Sequence, residues 1–377
     1  MNFQINSADE KTSARFGVVK TDHSIIATPA FMPIGTQGAV KTIDPQVLGL
    51  LDFNIILGNT YHLYLRPGAS AVQKAGGLHQ FMGWNRSILT DSGGYQVFSL
   101  ARLNRIQNEG VEFQSHLDGS RHFLSPETSM KIQRELGADI IMAFDECPPG
   151  NADHKTLFGA VKRTALWVKR CHEYLHSVPP LFQWNQTLFP IVQGGIFPEL
   201  RVQSVEAVLS YASCGVAIGG LAVGEEKTAM FEIIALLDTL LPKDQPRYLM
   251  GVGRPTDLVR SVQYGVDMFD CVLPTRNARN GQLFTSHGIV NIGNEKYKTD
   301  FNPVDNQCQC YGCEHFTRAY LRHLFNIKEV LGLRLATIHN LTYFSTLMKK
   351  IRDTINAGTF NSWSSSYLTD MENFPGM

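Results

Sequence analysis

Short apolar runs alternate with longer amphipathic segments along most of the chain. Each run is nearly continuous in apolar residues, a pattern typical of parallel strands that are buried on both faces. The runs predict eight core strands, at residues 30–34, 54–58, 87–91, 139–145, 189–193, 215–219, 247–251 and 268–273. Ahead of them, residues 3–29 alternate apolar and polar positions in short pieces, which predicts a small antiparallel sheet that acts as a lid or plug.

The segments between the runs carry apolar residues at helical spacing and therefore predict helices. Clear examples are residues 126–136, 154–176, 199–212 and 228–241. Eight strand–helix units favour an α/β protein built on a (β/α)8 TIM barrel. A doubly wound sheet is the alternative, but no Gly-x-Gly-x-x-Gly motif opens a helix after the first strand. Eight units also fit a sheet that closes into a barrel better than an open sheet.

Composition adds few constraints to this picture. The 377 residues are 44% hydrophobic and 18% charged, and the formal net charge is zero, so any nucleic-acid surface must be local. The chain has no apolar run of about eighteen residues, and its first four residues lack the features of a signal peptide. We therefore expect no membrane segment and a cytoplasmic location.

The last apolar run contains a carboxylate, Asp270, and is followed by Pro274, Thr275 and Arg276. A carboxylate in such a run is costly unless it is paired or used, so we interpret Asp270 as a functional acid, with a buried, capped or salt-bridged Asp as the alternative. Asp91 follows the third run, and barrel active sites form at the carboxyl ends of strands. Asp91 and Asp270 together suggest two carboxylates acting at a glycosidic bond.

Other polar residues at strand ends suggest recognition of a ring. Asp145 follows the fourth run and Gln193 the fifth, and an acid with an amide can read the hydrogen-bonding edge of a purine-like base. Tyr95 and Met250 could sandwich that ring, although such residues near strand ends are more often part of the core.

A cysteine cluster near the C-terminus predicts a metal site. The chain has seven cysteines, an odd number that argues for reduced thiols rather than a disulfide framework. Cys308, Cys310 and Cys313 fall within six residues, and His339 can add an imidazole from the start of a following helix. This Cys3His set predicts a structural zinc ion, because four protein ligands leave no open position. The rival fourth ligands are His315 and His323.

Basic residues gather around the same region and suggest a surface for phosphates. They are Arg276, Arg279, Lys296, Lys298, Arg318, Arg322, His323, Lys328 and Arg334. Ordinary solvated Lys and Arg side chains are the alternative interpretation.

Several motifs together resemble the tRNA-guanine transglycosylases of the bacterial type, in the queuine tRNA-ribosyltransferase family. The resemblance spans essentially the whole chain. The motifs lie at residues 90–100 (TDSGGYQVFSL), 142–147 (MAFDEC), 219–225 (GGLAVGE), 248–253 (YLMGVG) and 269–276 (FDCVLPTR), with the Cys3His set.

The resemblance implies an activity and its substrates. Members exchange the guanine at the wobble position of tRNAs with a GUN anticodon for a 7-deazaguanine base, in queuosine biosynthesis. It implies that Asp270 is the nucleophile of a covalent ribosyl-enzyme intermediate and that Asp91 is the general acid/base. Cys147 and Val223, typical of bacterial members, favour 7-aminomethyl-7-deazaguanine over queuine, whereas Arg254 replaces a frequent Lys and concerns only tRNA contacts.

The remaining site residues follow from the same resemblance. Asp145, Gln193 and the Gly220 backbone would read the base edge, and Leu221 would offer its carbonyl to the aminomethyl group. Tyr95 and Met250 would stack on the ring. Flanking bases and phosphates of the tRNA anticodon loop would meet the zinc subdomain and two arginines, Arg276 and Arg279.

The resemblance also implies a domain organisation and an assembly. We expect an N-terminal sheet and barrel over residues 1–275, a zinc-binding insertion over 276–335, and a final barrel helix with a tail over 336–377. One zinc ion per subunit and a homodimer are implied. Rival interpretations are a catalytically silent tRNA-binding subunit, against which both Asp91 and Asp270 argue, and a zinc-dependent hydrolase, whose ligands would lie on barrel strands.

Overall fold

A computed structural model of the chain describes residues 1–100 and 104–374, so the last three residues of the predicted tail lie outside the described part. The strands in these residues are β1 (Asn2–Ala8), β2 (Arg15–Lys20), β3 (Ile25–Thr28), β4 (Ala30–Met32), β5 (Ile34–Gly35), β6 (Ile55–Gly58), β7 (Ser87–Thr90), β8 (Asn104–Ile106), β9 (Val111–Gln114), β10 (Arg121–Leu124), β11 (Ile140–Met142), β12 (Thr187–Phe189), β13 (Ile191–Val192), β14 (Val216–Ile218), β15 (Arg247–Leu249), β16 (Met268–Asp270), β17 (Gln282–Thr285) and β18 (Gly288–Asn291).

Helices separate most of these strands. They are α1 (Pro45–Leu50), α2 (Thr60–Leu65), α3 (Ala69–Lys74), α4 (Leu78–Met82), α5 (Gly94–Leu100), α6 (Pro126–Leu136), α7 (His154–Ser177), α8 (Pro198–Val208), α9 (Lys227–Leu240), α10 (Pro255–Gln263), α11 (Leu273–Arg279), α12 (Tyr311–His315), α13 (Arg318–Asn326), α14 (Val330–Asn356) and α15 (Phe360–Glu372). Short 3-10 turns occupy Leu209–Tyr211 and Glu295–Tyr297.

The core consists of two five-stranded parallel sheets, as the buried apolar runs predict. One has the order β12-β11-β7-β6-β5 and the other β13-β14-β15-β16-β4. Consecutive strands β4 and β5 are separated by Pro33, and β12 and β13 by Pro190, so each proline divides one extended segment between the two sheets. A proline has no N–H to donate to a sheet, which explains the interruption at both positions.

The eight predicted runs each contain strand residues, but the last one ends early. The sequence predicts a strand to residue 273, whereas β16 ends at Asp270 and α11 begins at Leu273 with a proline in its first turn. Proline is favoured there because its missing N–H has no partner in a helix start. This correction places Asp270 at the carboxyl end of its strand.

The predicted helices are confirmed, and local capping explains one of them well. Helix α6 begins after Ser125, whose hydroxyl oxygen accepts a hydrogen bond from the Thr128 N–H at 3.1 Å, and it ends at Gly137 with a left-handed φ of 74°. One detail is wrong in the sequence-based prediction. His339 lies inside the long helix α14 rather than at a helix start.

The predicted N-terminal antiparallel sheet is confirmed, with the order β1-β2-β3. It is joined to the core by a buried ion pair. The Arg15 guanidinium donates to both carboxylate oxygens of Asp267, at 2.9 and 2.6 Å, and Asp267 also accepts the Arg247 N–H at 2.7 Å. Asp267 precedes β16, so the pair lies at the amino end of that strand, opposite to Asp270.

Two further antiparallel units complete the fold, a sheet of order β10-β9-β8 and a hairpin of β17 and β18. None of the helices in the described ranges combines the length and the apolarity needed to cross a bilayer.

The ion pair at the N-terminal sheet yields a stability prediction. Asp267→Ala leaves the Arg15 guanidinium buried without its carboxylate, since the side chains of Arg15 and Asp267 are only 6% and 0% exposed. We expect a loss of about 3–5 kcal/mol in the free energy of unfolding, measured by urea titration. Asp353→Ala is the control, because its pair with Lys349 is exposed and should contribute less than about 1 kcal/mol. Equal losses in the two variants would contradict the structural role of the buried pair.

Candidate active site and metal centre

Asp91 lies directly after β7 in a buried, hydrogen-bonded position. Its Oδ1 accepts the Thr60 N–H at 2.7 Å, and its Oδ2 accepts the side-chain amides of Gln96, at 2.8 Å, and of Asn59. Burial, with a smaller contribution from the nearby Asp270, raises the pKa of Asp91 to about 6, although these donors act in the opposite direction. Asp91 can therefore exchange a proton near neutral pH.

Asp270 at the end of β16 is held differently. Its Oδ1 accepts the Tyr248 hydroxyl at 2.6 Å and the Gly251 N–H at 2.9 Å, so Oδ2 is the oxygen that these two donors do not engage. Burial raises the pKa of Asp270, and both hydrogen bonds lower it. Burial also raises the pKa of Tyr248 well above its usual value, which keeps the phenol protonated as a donor. The carboxylate is thus fixed through one oxygen while the other remains available for chemistry.

Asp145 forms a third buried carboxylate, beyond the end of β11. Its Oδ1 accepts the Ser92 hydroxyl at 2.9 Å, and its Oδ2 accepts the Gln193 Nε2 at 2.7 Å. Burial raises the pKa of Asp145 to about 6, against the effect of these two hydrogen bonds. The Oε1 of Gln193 is buried and has no hydrogen-bond partner within the described ranges. This acid–amide pair therefore retains hydrogen-bonding capacity for a ligand.

The predicted ring-contacting residues lie on the elements around this pair. Gly220 abuts Gln193 so closely that a Cβ on Gly220 would lie 2.3 Å from the Gln193 Oε1. Leu221 is 3% exposed, Met250 is half-buried, and the Tyr95 side chain is exposed on α5. The structure brings Asp145, Gln193 and Gly220 together.

Sequence reasoning left several contributing side chains outside the predicted site. Two of them had a readable signal. Tyr248 lies two residues before Met250, and residues two apart in extended backbone point to the same face. Ser92 directly follows Asp91 in the sequence. Gln96 lies in the motif that carries the resemblance. Arg201 on α8, which is fully buried and donates to the Gly220 carbonyl at 3.3 Å, had no signal, because arginine is rarely fully buried.

The predicted metal set comes together in space. The Cys308, Cys310, Cys313 and His339 ligand atoms all lie within 4.8 Å of one another. The His339 Nδ1 lies 3.7 Å from the Cys310 Sγ and 3.3 Å from the Cys313 Sγ. The other ring nitrogen, Nε2, lies 2.7 Å from the Phe284 carbonyl, which fixes Nδ1 as the nitrogen that faces the thiols. Three sulfurs and one imidazole nitrogen fit a tetrahedral zinc ion.

A second group of ligand-type side chains lies at the opposite end of the strands. His23 and His79 approach the two oxygens of Asp139, at 2.7 and 3.2 Å. The two rings are stacked, with centroids 3.7 Å apart and planes inclined by 14°. In-plane lone pairs of stacked rings run side by side rather than converge on one ion, so this group is a hydrogen-bonded anchor for the β2–β3 turn.

The predicted basic surface is partly neutralised by acids of the chain itself. Arg318 pairs with Asp300 at 3.0 Å, while Arg322 and Lys298 both pair with Glu295, at 2.5 and 3.5 Å. Arg276 and Arg279 lie on α11, the helix that follows the Asp270 strand, with Arg276 exposed and Arg279 half-buried. Within the described ranges neither of these two has a salt bridge.

Comparisons with known proteins agree with this arrangement. A family model described as Queuine tRNA-ribosyltransferase matches residues 9–373. The chain is 52% identical to the Queuine tRNA-ribosyltransferase of Halothermothrix orenii, over 98% of this chain and 97% of that protein. It is 51% identical to the protein of the same name from Syntrophobacter fumaroxidans, over 99% of this chain and 98% of that protein.

The thiol–imidazole cluster yields a prediction about metal content. We expect about one zinc ion per chain by elemental analysis, and loss of that zinc in Cys308→Ser, because a hydroxyl is a much poorer zinc ligand than a thiolate. Thermal unfolding should report a matching loss of stability. Cys214→Ser is the control, since this half-buried cysteine lies outside the cluster and should keep its zinc. Full zinc retention in Cys308→Ser would remove Cys308 from the ligand set.

Proposed function

Because this chain belongs to the queuine tRNA-ribosyltransferase family, we propose that it is a tRNA-guanine transglycosylase that replaces the wobble guanine of tRNAs with a GUN anticodon by 7-aminomethyl-7-deazaguanine, in queuosine biosynthesis. The observation that carries the proposal is the pair of buried carboxylates, Asp91 and Asp270, at the carboxyl ends of β7 and β16, with different donor sets. Two such acids are what a double displacement at one sugar carbon requires.

The proposed chemistry divides base exchange into two displacements. The free Oδ2 of Asp270 attacks the anomeric carbon of the wobble ribose, and the bond from that carbon to guanine breaks. Asp91, with a pKa of about 6, supplies a proton to the departing base and later removes one from the incoming base. Because the ribosyl group stays on Asp270 between these steps, configuration at the sugar carbon is retained and no nucleotide energy source is needed.

Recognition of the base is assigned to the second buried acid. Asp145 would accept the ring N–H and amino groups of guanine, while the Gln193 side chain and the Gly220 N–H would bind the ring carbonyl. Base binding then replaces the internal Gln193–Asp145 hydrogen bond, so both groups exchange one partner for another. Leu221 would offer its carbonyl to the aminomethyl group, and Tyr95 and Met250 would stack on the ring faces.

The tRNA itself would be held outside the base pocket. Arg276 and Arg279 extend from α11, and the same helix begins three residues after Asp270. We therefore assign them to phosphates of the anticodon loop, with the wobble nucleotide turned out of the loop toward Asp270. A structural zinc ion in the Cys3His cluster would stabilise the neighbouring segment.

The proposal includes the fold and the assembly. We propose that the two parallel sheets form one closed (β/α)8 barrel, since β4 and β5 link them at Pro33 and β12 and β13 link them at Pro190. Residues 1–275 would form the sheet and barrel, 276–335 the zinc insertion, and 336–377 the last helix and tail. We also propose a homodimer and a cytoplasmic location, where free thiols and tRNA occur together.

The proposed reaction predicts the behaviour of a nucleophile variant. The wild-type protein, incubated with unmodified tRNA that has a wobble guanine, should incorporate labelled guanine and form a covalent protein–tRNA adduct. Asp270→Asn should form no adduct and should slow exchange by roughly 10⁴-fold or more, because an amide is a very poor nucleophile. Asp353→Asn, at an exposed site of α14, should match the wild type.

Two outcomes would count against this assignment. Adduct formation by Asp270→Asn would remove Asp270 from the nucleophile role. A wild-type protein that binds tRNA without any exchange would instead indicate a catalytically silent tRNA-binding subunit.

The raised pKa of Asp145 predicts how base affinity depends on pH. The base binds the ionised carboxylate, and the pKa of Asp145 in the free protein is about 6. Affinity for free 7-aminomethyl-7-deazaguanine, measured by calorimetry, should be constant above pH 7 and fall by up to about tenfold per pH unit below pH 6. Asp145→Asn should bind weakly with no such slope, whereas Asp91→Asn should retain it. A slope that survives in Asp145→Asn would assign the titration to another group.

A further inference from the structure

Arg201 on α8 is a fully buried cation beside the proposed base pocket. Its guanidinium donates to four backbone carbonyls: Gly195 at 2.9 Å, Val192 at 2.9 Å, Gly219 at 2.8 Å and Gly220 at 3.3 Å. The residue has 0% exposure. These carbonyls belong to the segments that follow β13 and β14, which carry Gln193 and Gly220. One side chain therefore fixes both polar strand ends.

Arg201 is the most deeply buried arginine in the described ranges, and like Arg134, which donates to the Leu175 carbonyl at 2.7 Å, it has no carboxylate partner there. Arg15 is paired with Asp267, and Arg247 is paired with Asp238. Within the described ranges, Arg201 has no salt bridge and bonds only to carbonyls. A buried charge without a counter-charge is costly, so its persistence points to a use for the positive potential.

The neighbouring thiol does not supply the missing negative charge. Burial raises the pKa of Cys147 to about 12, so this thiol stays neutral at physiological pH. Burial also lowers the pKa of Arg201 to about 9, which leaves the guanidinium protonated. Glu225 contributes only a distant attraction, since its carboxylate accepts the N–H groups of Ala222 and Val223 in its own loop.

A single peptide connects Arg201 to the base pocket. The Gly219 carbonyl accepts a hydrogen bond from the Arg201 guanidinium. Because the peptide between Gly219 and Gly220 is planar and trans, the Gly220 N–H points in the opposite direction. Gly220 itself abuts Gln193, because a Cβ on Gly220 would lie 2.3 Å from the Gln193 Oε1. Its φ of +64° is left-handed, a conformation that favours glycine. A strong bond at the carbonyl polarises the N–H and makes it a better donor.

We propose that Arg201 is a positioning residue that stabilises the negative charge of the departing guanine, by polarising the Gly219–Gly220 peptide whose N–H binds the base carbonyl. The inference rests on the proposed exchange reaction and adds to it the group that acts on the leaving base. Arg201 itself does not touch the base, and its charge acts through the peptide.

The negative charge on the departing guanine arises in the first displacement. As an Asp270 oxygen bonds to the anomeric carbon, the bond from that carbon to the ring nitrogen breaks, and its electron pair enters the purine. Resonance places part of this charge on the ring carbonyl oxygen, which the Gly220 N–H would bind. Protonation of the departing base by Asp91 then neutralises it. A donor that strengthens as charge develops lowers the barrier for this step.

The test compares two leaving groups in single-turnover formation of the protein–tRNA adduct. One tRNA carries guanosine at the wobble position, and the other carries 8-azaguanosine, whose base departs more readily as an anion. Arg201→Met should slow the guanosine reaction by about 10²-fold, the scale of losing one transition-state donor. With 8-azaguanosine, which needs less stabilisation, the loss should be less than about tenfold. Arg201→Lys retains the charge and should keep the wild-type ratio of the two rates.

A matched control separates this role from structural support. Arg247→Met also removes a fully buried guanidinium, but at the amino end of β15, and any activity it loses should be equal for the two tRNAs. Equal losses for Arg201→Met on both tRNAs would overturn the inference while leaving the exchange reaction intact. If Arg201→Met does not fold, Arg201→Gln, which keeps a hydrogen-bond donor but loses the charge, is compared in its place, and equal losses on both tRNAs in that variant would overturn the inference. A wild-type protein inactive on both tRNAs would instead overturn the proposed function.

Discussion

Burial of carboxylates at the carboxyl ends of parallel strands is the constraint on which the candidate site depends. Asp91, Asp145 and Asp270 are all less than a tenth exposed, and an ionised carboxylate in such a position is stable only with hydrogen-bond donors. Each therefore has its own donors from the adjoining strand end or loop. These donors fix the carboxylates in place but do not fully offset burial, so the pKa of all three is raised. Burial among internal hydrogen-bond donors therefore determines both the fixed positions of these three carboxylates and their raised pKa.

Charge balance differs between the two ends of the core strands. At the amino ends, buried ions form closed pairs, as in Arg15 with Asp267 and Arg247 with Asp238. At the carboxyl ends, Asp91, Asp145 and Asp270 are held by neutral donors and Arg201 by neutral carbonyls, whereas Glu146 next to Asp145 pairs with Arg163. A pair that neutralises itself contributes to stability, whereas separated buried charges of both signs can respond to a substrate that is neutral when bound and becomes charged during the reaction. These charges without an ion-pair partner therefore lie at the same end of the strands as the candidate site.

Sequence patterns predicted the strands, the three acids and the metal cluster because each produces a local signal. An apolar run with a carboxylate at its end, or three cysteines within six residues, can be recognised without knowing the fold. The end of β16 was misplaced because Val272 and Leu273 continue the apolar run although they begin a helix. The interruptions at Pro33 and Pro190 were visible in the sequence but not interpreted. Arg201 could not be predicted, because its burial depends on strand ends that lie apart in sequence.

Helix α14 joins the metal cluster to the region of the candidate catalytic strand β16. This connection explains how a metal site without an open ligand position can affect chemistry elsewhere. His339 in α14 faces the thiols, and the next residue, Asn340, donates to the Pro274 carbonyl of α11 at 2.9 Å and accepts the Phe284 N–H at 3.0 Å. Phe284 also provides the carbonyl that orients His339. Loss of the metal would release His339, and with it the contacts that hold α11 directly behind Asp270. The cluster therefore supports the position of α11, next to Asp270, through hydrogen bonds between the Asn340 side-chain amide and backbone groups of Pro274 and Phe284.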